Sequence, residues 1–432
     1  MSLTGCAWAQ YRGDAGKSGY QAFEGTIGVS NVSRLRAAWT GPTDNNGAVV
    51  SAGIVFDPTT SGLVALDAAG VTGCGGNPKI CGPLWTGLTD GSQLQVPAVI
   101  NGIVWVQEGT STLLAFDAAG IQGCGGIPKT CTPMWSASAP LFMAPPTVAD
   151  GLLYISAKTD LVQFSPAHLL AFDGAGVNGC SGIPKTCVPV WTGTDPSAYY
   201  NAGAPAVTNG TVYVGTDDFR GGHHRLAAFD ATGASGCSGT PKTCAPLWTA
   251  AAPSSYPTVV GGVVYASGNA GTGTTGELDA YDAAGVEGCS GAPKICTPIW
   301  TASTPSGLGP TAADGNSVYV SSTEGALYAF DAAGVTSCSG APKTCVPQWS
   351  ANLQAPGFGS LIVANGVVYA STRLRVLAFE AAGAGCEGSA GGCQPLWTSS
   401  EVGVSGLDLA VVNGTLFVNG PGGIAAFNIP PP

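Results

Sequence analysis

The chain of 432 residues has a formal net charge of −11, and 45% of its residues are hydrophobic whereas only 9% are charged. This composition excludes a disordered chain and provides the apolar side chains of a large core. The acidic balance argues against nucleic acid and against an anionic membrane surface as partners. Short apolar runs between glycine and proline, none long enough to span a bilayer, predict a soluble all-β protein with no transmembrane segment.

The first residues lack the pattern of an export signal, because "MSL" is too short to be one. The next residues, "LTGC" at 3–6, resemble the cleavage box of bacterial lipoproteins, which predicts a lipid anchor on Cys6. A chance match is the alternative. Cys6 is also the one cysteine that has no partner in the spacing pattern described next.

The other fourteen cysteines form seven pairs with the same C-x6-C spacing. Each pair encloses glycine, and most enclose Pro-Lys, as a tight hairpin would, so we expect its two ends to meet within disulfide range. Zinc is the alternative, but two pairs would have to converge on one ion. Disulfides predict an extracytoplasmic location, which means periplasm, cell surface or exterior. The pairs are Cys74 with Cys81, Cys124 with Cys131, Cys180 with Cys187, Cys237 with Cys244, Cys289 with Cys296, Cys338 with Cys345 and Cys386 with Cys393.

The cysteine pairs belong to a longer repeat, whose copy at 205–249 shows its parts. "PAVTNG" (205–210) ends in a turn, "TVYVGT" (211–216) and "RLAAFDA" (225–231) read as strands, and the cysteine hairpin leads into "APLWT" (245–249). Asn-Gly at 101, 209, 365 and 413 and Asp-Gly at 150 predict two-residue hairpin turns. Four antiparallel strands per repeat predict the blade of a β-propeller.

Counting the repeats gives eight tryptophans followed by Thr or Ser and eight "AFD"-like strands, the last at 424–428. The first tryptophan precedes every such strand, so we expect residues 35–41 to complete the last blade, at 397–428. That strand would close an eight-bladed β-propeller of four-stranded antiparallel blades, one domain over 1–432 with a leader at 1–34. Seven blades plus an irregular cap is the alternative. The repeated tryptophans are Trp39, Trp85, Trp135, Trp191, Trp248, Trp300, Trp349 and Trp397.

The motifs "ALDAAG…W" and "AFDAAG…W" resemble the tryptophan-docking repeat of quinoprotein-type, or PQQ-like, β-propellers, in which the Trp packs between neighbouring blades. The leader "WAQYRGDAGKSGY" is similar to the start of such proteins. The resemblance covers nearly the whole chain and implies the propeller fold. This sequence differs by the cysteine hairpin inserted between Gly and Trp, which we expect to form the outer edge of a blade.

In a propeller the loops divide between two faces, and function usually lies in the loops that vary. On the variable face "DDFRGGHHR" (217–225) concentrates charge, with a solvated loop as the alternative to a site. The candidate cofactor-binding residues are Tyr199, Asn201, Asp217, Asp218, Arg220 and Arg225. On the other face, six Pro-Lys hairpins predict a basic ring, with plain solvation as the alternative: Lys79, Lys129, Lys185, Lys242, Lys294 and Lys343.

Two functions remain open at this point. The resemblance implies an enzyme that holds PQQ and calcium at the propeller centre and oxidises alcohols or sugars. Against it, the sequence has neither adjacent cysteines nor a C-x-x-C-H haem motif, and it assigns no catalytic residue and no metal ligand. We therefore favour a monomeric extracytoplasmic scaffold without PQQ that binds a protein or a glycan, like the propeller lipoprotein of the bacterial outer-membrane assembly machinery.

Overall fold

The structure is a computed structural model that describes residues 7–42, 46–142, 144–158, 167–195, 200–201, 203–218, 223–253, 256–270, 274–357, 359–384, 386, 392–400, 409–420 and 423–431. Within these ranges the regular structure is β apart from one short 3-10 helix, Val32–Arg34. No helix there has the length and apolar character that crossing a bilayer requires.

The strands of the first half of the chain are β1 Tyr20–Gln21, β2 Arg36–Gly41, β3 Val49–Ser51, β4 Ile54–Thr59, β5 Gly62–Asp67, β6 Cys74–Gly75, β7 Ile80–Cys81, β8 Trp85–Gly87, β9 Ala98–Ile100, β10 Ile103–Glu108, β11 Thr112–Asp117, β12 Cys124–Gly125, β13 Thr130–Cys131, β14 Trp135–Ser138, β15 Leu141–Phe142, β16 Thr147–Ala149, β17 Leu152–Lys158, β18 Ala167–Asp173, β19 Cys180–Ser181, β20 Thr186–Cys187, β21 Trp191–Thr194, β22 Tyr200–Asn201, β23 Ala206–Thr208 and β24 Thr211–Asp218.

Those of the second half are β25 His223–Asp230, β26 Cys237–Ser238, β27 Thr243–Cys244, β28 Trp248–Ala252, β29 Thr258–Val260, β30 Val263–Asn269, β31 Gly276–Asp282, β32 Cys289–Ser290, β33 Ile295–Cys296, β34 Trp300–Thr304, β35 Ala312–Ala313, β36 Ser317–Ser321, β37 Ala326–Asp331, β38 Cys338–Ser339, β39 Thr344–Cys345, β40 Trp349–Asn352, β41 Leu361–Ala364, β42 Val367–Ser371, β43 Val376–Glu380, β44 Trp397–Thr398, β45 Leu409–Val412, β46 Thr415–Gly420 and β47 Gly423–Asn428.

Each repeat folds into four antiparallel strands, and the described strands group into eight such sheets. From the innermost strand outward they are sheet 1 (β3, β4, β5, β8), sheet 2 (β9, β10, β11, β14), sheet 3 (β16, β17, β18, β21), sheet 4 (β23, β24, β25, β28), sheet 5 (β29, β30, β31, β34), sheet 6 (β35, β36, β37, β40), sheet 7 (β41, β42, β43, β44) and sheet 8 (β45, β46, β47, β2).

Two-residue turns join the first and second strands in seven of the eight described sheets, including every position that the sequence predicted, whereas three residues, 314–316, join them in sheet 6. Both turn residues have positive φ, for example 50° at Asn101 with 78° at Gly102, and 47° at Asn209 with 73° at Gly210. The type I′ turn requires this backbone at both central positions, and Asn and Gly adopt it at the smallest cost. These turns and the cysteine hairpins lie at the same end of the antiparallel sheets, here called the turn end.

The sheets are arranged in chain order around an axis. The innermost strands of consecutive sheets lie next to one another, and β45 of sheet 8 lies next to β3 of sheet 1. Near the N-terminus, β2 pairs in antiparallel register with β47, from Arg36 opposite Asn428 to Gly41 opposite Ile424. The apolar cores lie between neighbouring sheets, which is why the middle strands are buried on both of their faces.

All seven predicted cysteine pairs form disulfides, with Cα–Cα distances of 3.9 to 4.1 Å. The position of the hairpins differs from the simplest expectation, however. A hairpin does not extend the sheet of its own repeat but pairs in parallel with the outer strand of the preceding sheet. The pairs are β7 with β2, β13 with β8, β20 with β14, β27 with β21, β33 with β28 and β39 with β34. The hairpins therefore connect neighbouring sheets.

The seventh hairpin departs from the other six, and the structure describes it only at 386 and 392–393. Its sequence between the two cysteines contains no Pro-Lys. Cys386 and Cys393 nevertheless form the predicted disulfide, with a Cα–Cα distance of 4.1 Å. Cys393 is joined to Ala351 of β40 by an isolated parallel bridge, and its amide donates to the Ser350 carbonyl at 3.1 Å. The pairing predicted for Cys393 is thus confirmed, and this residue also contacts the preceding sheet, although no regular strand is assigned there.

The repeated tryptophan also lies between two sheets. Trp248, on the outer strand of sheet 4, is buried against Gly285 of sheet 5, and a Cβ atom on Gly285 would lie 2.3 Å from its Cδ1. The indole N–H groups of Trp191, Trp300 and Trp349 donate to carbonyl oxygens of the next sheet at 3.1 to 3.3 Å. These contacts join neighbouring sheets, and the docking role of the tryptophans stays a prediction.

Replacing both Cys289 and Cys296 by Ser is expected to lower the free energy of unfolding by about 2.5 kcal/mol, since the unfolded chain gains the entropy of an open eight-residue loop. Because hairpin β32–β33 pairs with β28, protection of the β28 amides from hydrogen exchange should fall as well. Ser290→Ala, an exposed change within the same hairpin, serves as the control. Unchanged exchange in β28 would contradict the connecting role.

Candidate functional site

The leader before β2 runs around the axis at the turn end. No strand of its own repeat pairs with the inner edge of an innermost strand, and in sheets 1 to 7 one amide of that edge donates to the leader. At sheet 7 the leader strand β1 also pairs in parallel with β41, Tyr20 opposite Val363. The donors and acceptors are Val50 to Trp8 O (2.8 Å), Val99 to Ala9 O (2.7 Å), Val148 to Gln10 Oε1 (2.9 Å), Val207 to Ala15 O (2.7 Å), Val259 to Gly16 O (2.7 Å), Ala313 to Ser18 O (2.8 Å) and Val363 to Gly19 O (2.8 Å).

The leader also reaches sheet 8. The Glu24 side chain is buried and accepts a hydrogen bond from the Gly414 amide at 3.0 Å, in addition to the amides of Thr26 and Ile27. Residues 8–24 thus contact the sheets one after another, in the order of the chain. The axis at the turn end is therefore occupied by the protein's own backbone.

Charged side chains of the leader are gathered at this position. Lys17 is buried, with its Nζ atom 5.9 Å from the centre of the Tyr11 ring. Asp14 accepts hydrogen bonds from the amide (3.0 Å) and the hydroxyl of Ser18. Burial raises the pKa of Asp14, against the Ser18 hydrogen bonds and the nearby Lys17 and Arg12, which favour its charged form. Arg12 and Lys17 both have positive φ, 60° and 58°.

A cavity of about 600 Å³ opens beside the leader, between sheets 1 and 2. Its lining is mainly apolar and includes Ala9 of the leader, Phe56 of β4 and Val99 of β9. A cavity of this kind can accept an apolar group of a ligand or a partner.

Four of the six predicted cofactor-binding residues lie within the described ranges, at the opposite end of sheet 4: Asn201 on β22, Asp217 and Asp218 on β24, and Arg225 on β25. Asn201 is opposite Thr216, and the two aspartates are opposite two histidines, Asp217 with His224 and Asp218 with His223. The fold thus brings together sequence positions 201, 217, 218 and 225. Tyr199 and Arg220 lie outside the described residues, so their part of the prediction stays untested.

Arg225 is engaged in contacts within the protein. Its Nε lies 3.4 Å from Asp195 Oδ2 at the end of the outer strand of sheet 3, and its Nη2 donates to Thr249 Oγ1 at 3.1 Å. The guanidinium therefore joins two sheets. A role in binding an anionic cofactor stays a prediction and would compete with this ion pair.

The hairpin lysines have structural contacts too. Their backbone carbonyls accept from the residue after the tryptophan of the preceding sheet, for example Thr86 N to Lys129 O at 3.0 Å. Four ammonium groups donate to a glycine carbonyl of their own turn at 2.8 to 3.2 Å: Lys79, Lys129, Lys185 and Lys294. One N–H of each of these four ammonium groups is thus used within its own repeat.

Over the described ranges, no group of three or more His, Cys, Asp or Glu side chains is placed to hold a metal ion. The sequence prediction missed the leader as a component of the axis. The signal available was charge, because Arg12, Asp14 and Lys17 lie within six residues of a chain in which 9% of residues are charged.

Comparison with known proteins agrees with this fold. A family model described as outer membrane protein assembly factor BamB matches residues 128–337. No curated protein matches the chain. Among solved structures, BamB from Moraxella catarrhalis is 15% identical with a TM-score of 0.58, covering 91% of this chain and 97% of its own. Quinohemoprotein alcohol dehydrogenase from Comamonas testosteroni is 14% identical with a TM-score of 0.60, covering 98% and 80%.

A computationally designed protein, Ika8, has a similar fold with 10% identity and a TM-score of 0.60, covering 91% of this chain and 100% of its own. Identities this low show the fold alone. Together with the family match over residues 128–337, they support a PQQ-like repeat β-propeller protein.

Proposed function

We propose that this protein is an extracytoplasmic, eight-bladed PQQ-like β-propeller that works as a monomeric binding scaffold without PQQ. The observation that carries the proposal is the leader, which fills the turn end of the axis and is bonded to the innermost strands. A propeller whose axis is closed at one end by its own chain has its outer surfaces and its loop end left for partners. Residues 1–432 form one domain in this proposal, closed by the pairing of β2 with β47.

The location outside the cytoplasm rests on the seven disulfides, because reducing compartments rarely maintain such a set. The family match to an outer membrane protein assembly factor supports a protein as the partner, with a glycan as the alternative. The lipid anchor proposed on Cys6 lies outside the described residues.

The second function is a dehydrogenase with PQQ and calcium, by analogy with the quinohemoprotein alcohol dehydrogenase. PQQ has three carboxylates and needs converging cations, and Arg12 with Lys17 beside the axis is the observation in its favour. The described residues do not fit the group well, since the leader backbone occupies that position and Arg225, at the other end, is paired with Asp195.

The two functions are separated by titration calorimetry with PQQ, with and without calcium, followed by dye reduction with simple alcohols and sugars. The scaffold predicts no heat of binding and no reduction. Tight, calcium-dependent binding would overturn it and establish a cofactor site. With PQQ excluded, glycan arrays and crosslinking to envelope proteins would then distinguish a glycan from a protein partner.

A further inference from the structure

One pair of polar side chains interrupts the apolar packing between sheets. In each repeat, the residues one and three positions before the Asp, Glu or Asn that ends the "AFD"-like strand lie in the space facing the preceding sheet. In sheet 5 these are Tyr281 and Asp279, both buried. The equivalent pairs elsewhere are Leu66 and Val64, Phe116 and Leu114, Phe172 and Leu170, Phe229 and Ala227, Phe330 and Tyr328, Phe379 and Leu377, and Phe427 and Ala425. No other repeat places a carboxyl group there, so packing alone does not require it.

The Tyr281 hydroxyl lies between two acceptors. Its oxygen is 2.9 Å from Asp279 Oδ2 and also within hydrogen-bonding distance of the Ala251 carbonyl of sheet 4. A phenol has one proton, so it can donate to one of the two. Both contacts are hydrogen bonds only when Asp279 carries a proton of its own, which it donates to the Tyr281 oxygen while Tyr281 donates to Ala251.

The surroundings of Asp279 favour that protonated form. Burial, together with the nearby charge of Glu277, raises the pKa of Asp279 to about 7, although the Tyr281 hydrogen bond acts in the other direction. Burial raises the pKa of Glu277 as well. The adjoining strands β28 and β34 carry no acidic or basic residue, whereas β25, which pairs with β28, places Arg225 opposite Ala251 and His224 opposite Ala252. On β30, Tyr265 directs its hydroxyl to the Ala332 carbonyl of sheet 6.

We propose that Asp279, Tyr281 and the Ala251 carbonyl form a proton-dependent link between sheets 4 and 5. With the proton present, a chain of two hydrogen bonds crosses the interface. When Asp279 loses its proton to water, its carboxylate competes with Ala251 for the Tyr281 proton, and a buried charge remains beside Glu277. The contact between β28 and β31 is then weakened. This inference does not depend on what the protein binds.

The test is hydrogen exchange followed by mass spectrometry between pH 5 and 9, corrected for the intrinsic pH dependence of exchange. In the wild-type protein, the equilibrium constant for opening of the amides in peptides 248–252 and 276–282 should increase with pH. The increase should be up to about tenfold per pH unit towards pH 7, and the constant should then level off. The sign follows from the raised pKa, because stability falls from the ordinary carboxyl pKa of 3.8 up to about 7, where the folded protein also loses the proton. Asp279→Asn keeps a donor to Tyr281 at every pH, so its profile should be flat.

Two controls make the result specific. The double variant Asp279→Leu with Tyr281→Phe gives sheet 5 the apolar pair that sheet 3 has at Leu170 and Phe172. Its corrected exchange profile should be flat across the pH range, and its peptides should be well protected. Peptides covering 85–87 and 112–117, at the equivalent interface of sheets 1 and 2, should show no slope in the wild-type protein. The proposal is overturned if Asp279→Asn retains the wild-type profile, or if the control peptides change to the same extent.

Discussion

A variant that lacks residues 1–24 is expected to unfold far below the wild-type temperature. The deletion removes the acceptors of seven inner-strand amides and of Gly414. At about 1 kcal/mol for each hydrogen bond, with about 3 kcal/mol for the buried Trp8 side chain, the loss in the free energy of unfolding is on the order of 5 kcal/mol or more. Because a chain of this size commonly unfolds irreversibly, the measurement is the unfolding rate together with the midpoint at a fixed scan rate.

Point variants test single hydrogen-bonding side chains of the leader while the leader itself stays in the chain. Gln10→Ala removes two hydrogen bonds to Val148 of sheet 3, and Glu24→Ala leaves three amides without their carboxylate acceptor. Each should accelerate unfolding by a fraction of the effect of the deletion. The exposed change Ser30→Ala is the matched control and should have no effect. If the deletion variant unfolds at the same rate and midpoint as the wild-type protein, the leader does not hold the sheets together.

Most of the fold could be predicted from the sequence, because its determinants are local and repeated. Asn and Gly at the turns impose a backbone that few other residues adopt, so the positions of the two-residue hairpins were readable. The constant cysteine spacing likewise fixed seven short loops, all of which form disulfides, including Cys386 with Cys393 in the copy that lacks Pro-Lys. The sheet on which a hairpin packs was not readable, since it depends on a contact between separate repeats.

The site was predicted less well than the fold, for a physical reason. The leader binds the inner strands mainly through backbone carbonyls, which every sequence possesses, so its residues carry little signal for this role. Arg225 and Asp217 were predicted to lie in one loop of the variable face; the structure instead places them on β25 and β24, with Arg225 opposite Thr216 and Asp217 opposite His224. The ion pair of Arg225 with Asp195 of another repeat could not be read from spacing. For Asp279, the alternation of side chains along β31 does not tell which of the two neighbouring sheets the carboxyl group faces.

Gly285→Ala is expected to reduce the free energy of unfolding by about 2 to 5 kcal/mol, from two separate causes. Gly285 has φ of +64°, and a side chain in this left-handed region costs about 1 to 2 kcal/mol. The new Cβ would also lie 2.3 Å from Cδ1 and 2.7 Å from Nε1 of Trp248, and overpacking against a buried ring costs about 1 to 3 kcal/mol.

A second glycine of sheet 5 isolates the backbone contribution. Gly262 has φ of +82°, but nothing lies within 4 Å of the Cβ that an alanine would add. Gly262→Ala should therefore cost about 1 to 2 kcal/mol, the backbone part alone. Chemical denaturation of both variants then measures the tryptophan contact as a difference. If the two substitutions have equal effects, the fit between Gly285 and Trp248 is not what holds sheets 4 and 5 together.

The double variant Gly285→Ala with Trp248→Ala completes the argument. Trp248→Ala alone should cost about 3 to 5 kcal/mol, because it leaves a cavity between the two sheets. Once the ring is gone, the alanine at 285 meets no steric conflict and adds only its backbone strain. The double variant should therefore be more stable than the sum of the single effects predicts, by about 1 to 3 kcal/mol. Additive effects would instead place the cost of Gly285→Ala in the backbone alone and remove the case for tryptophan docking at this interface.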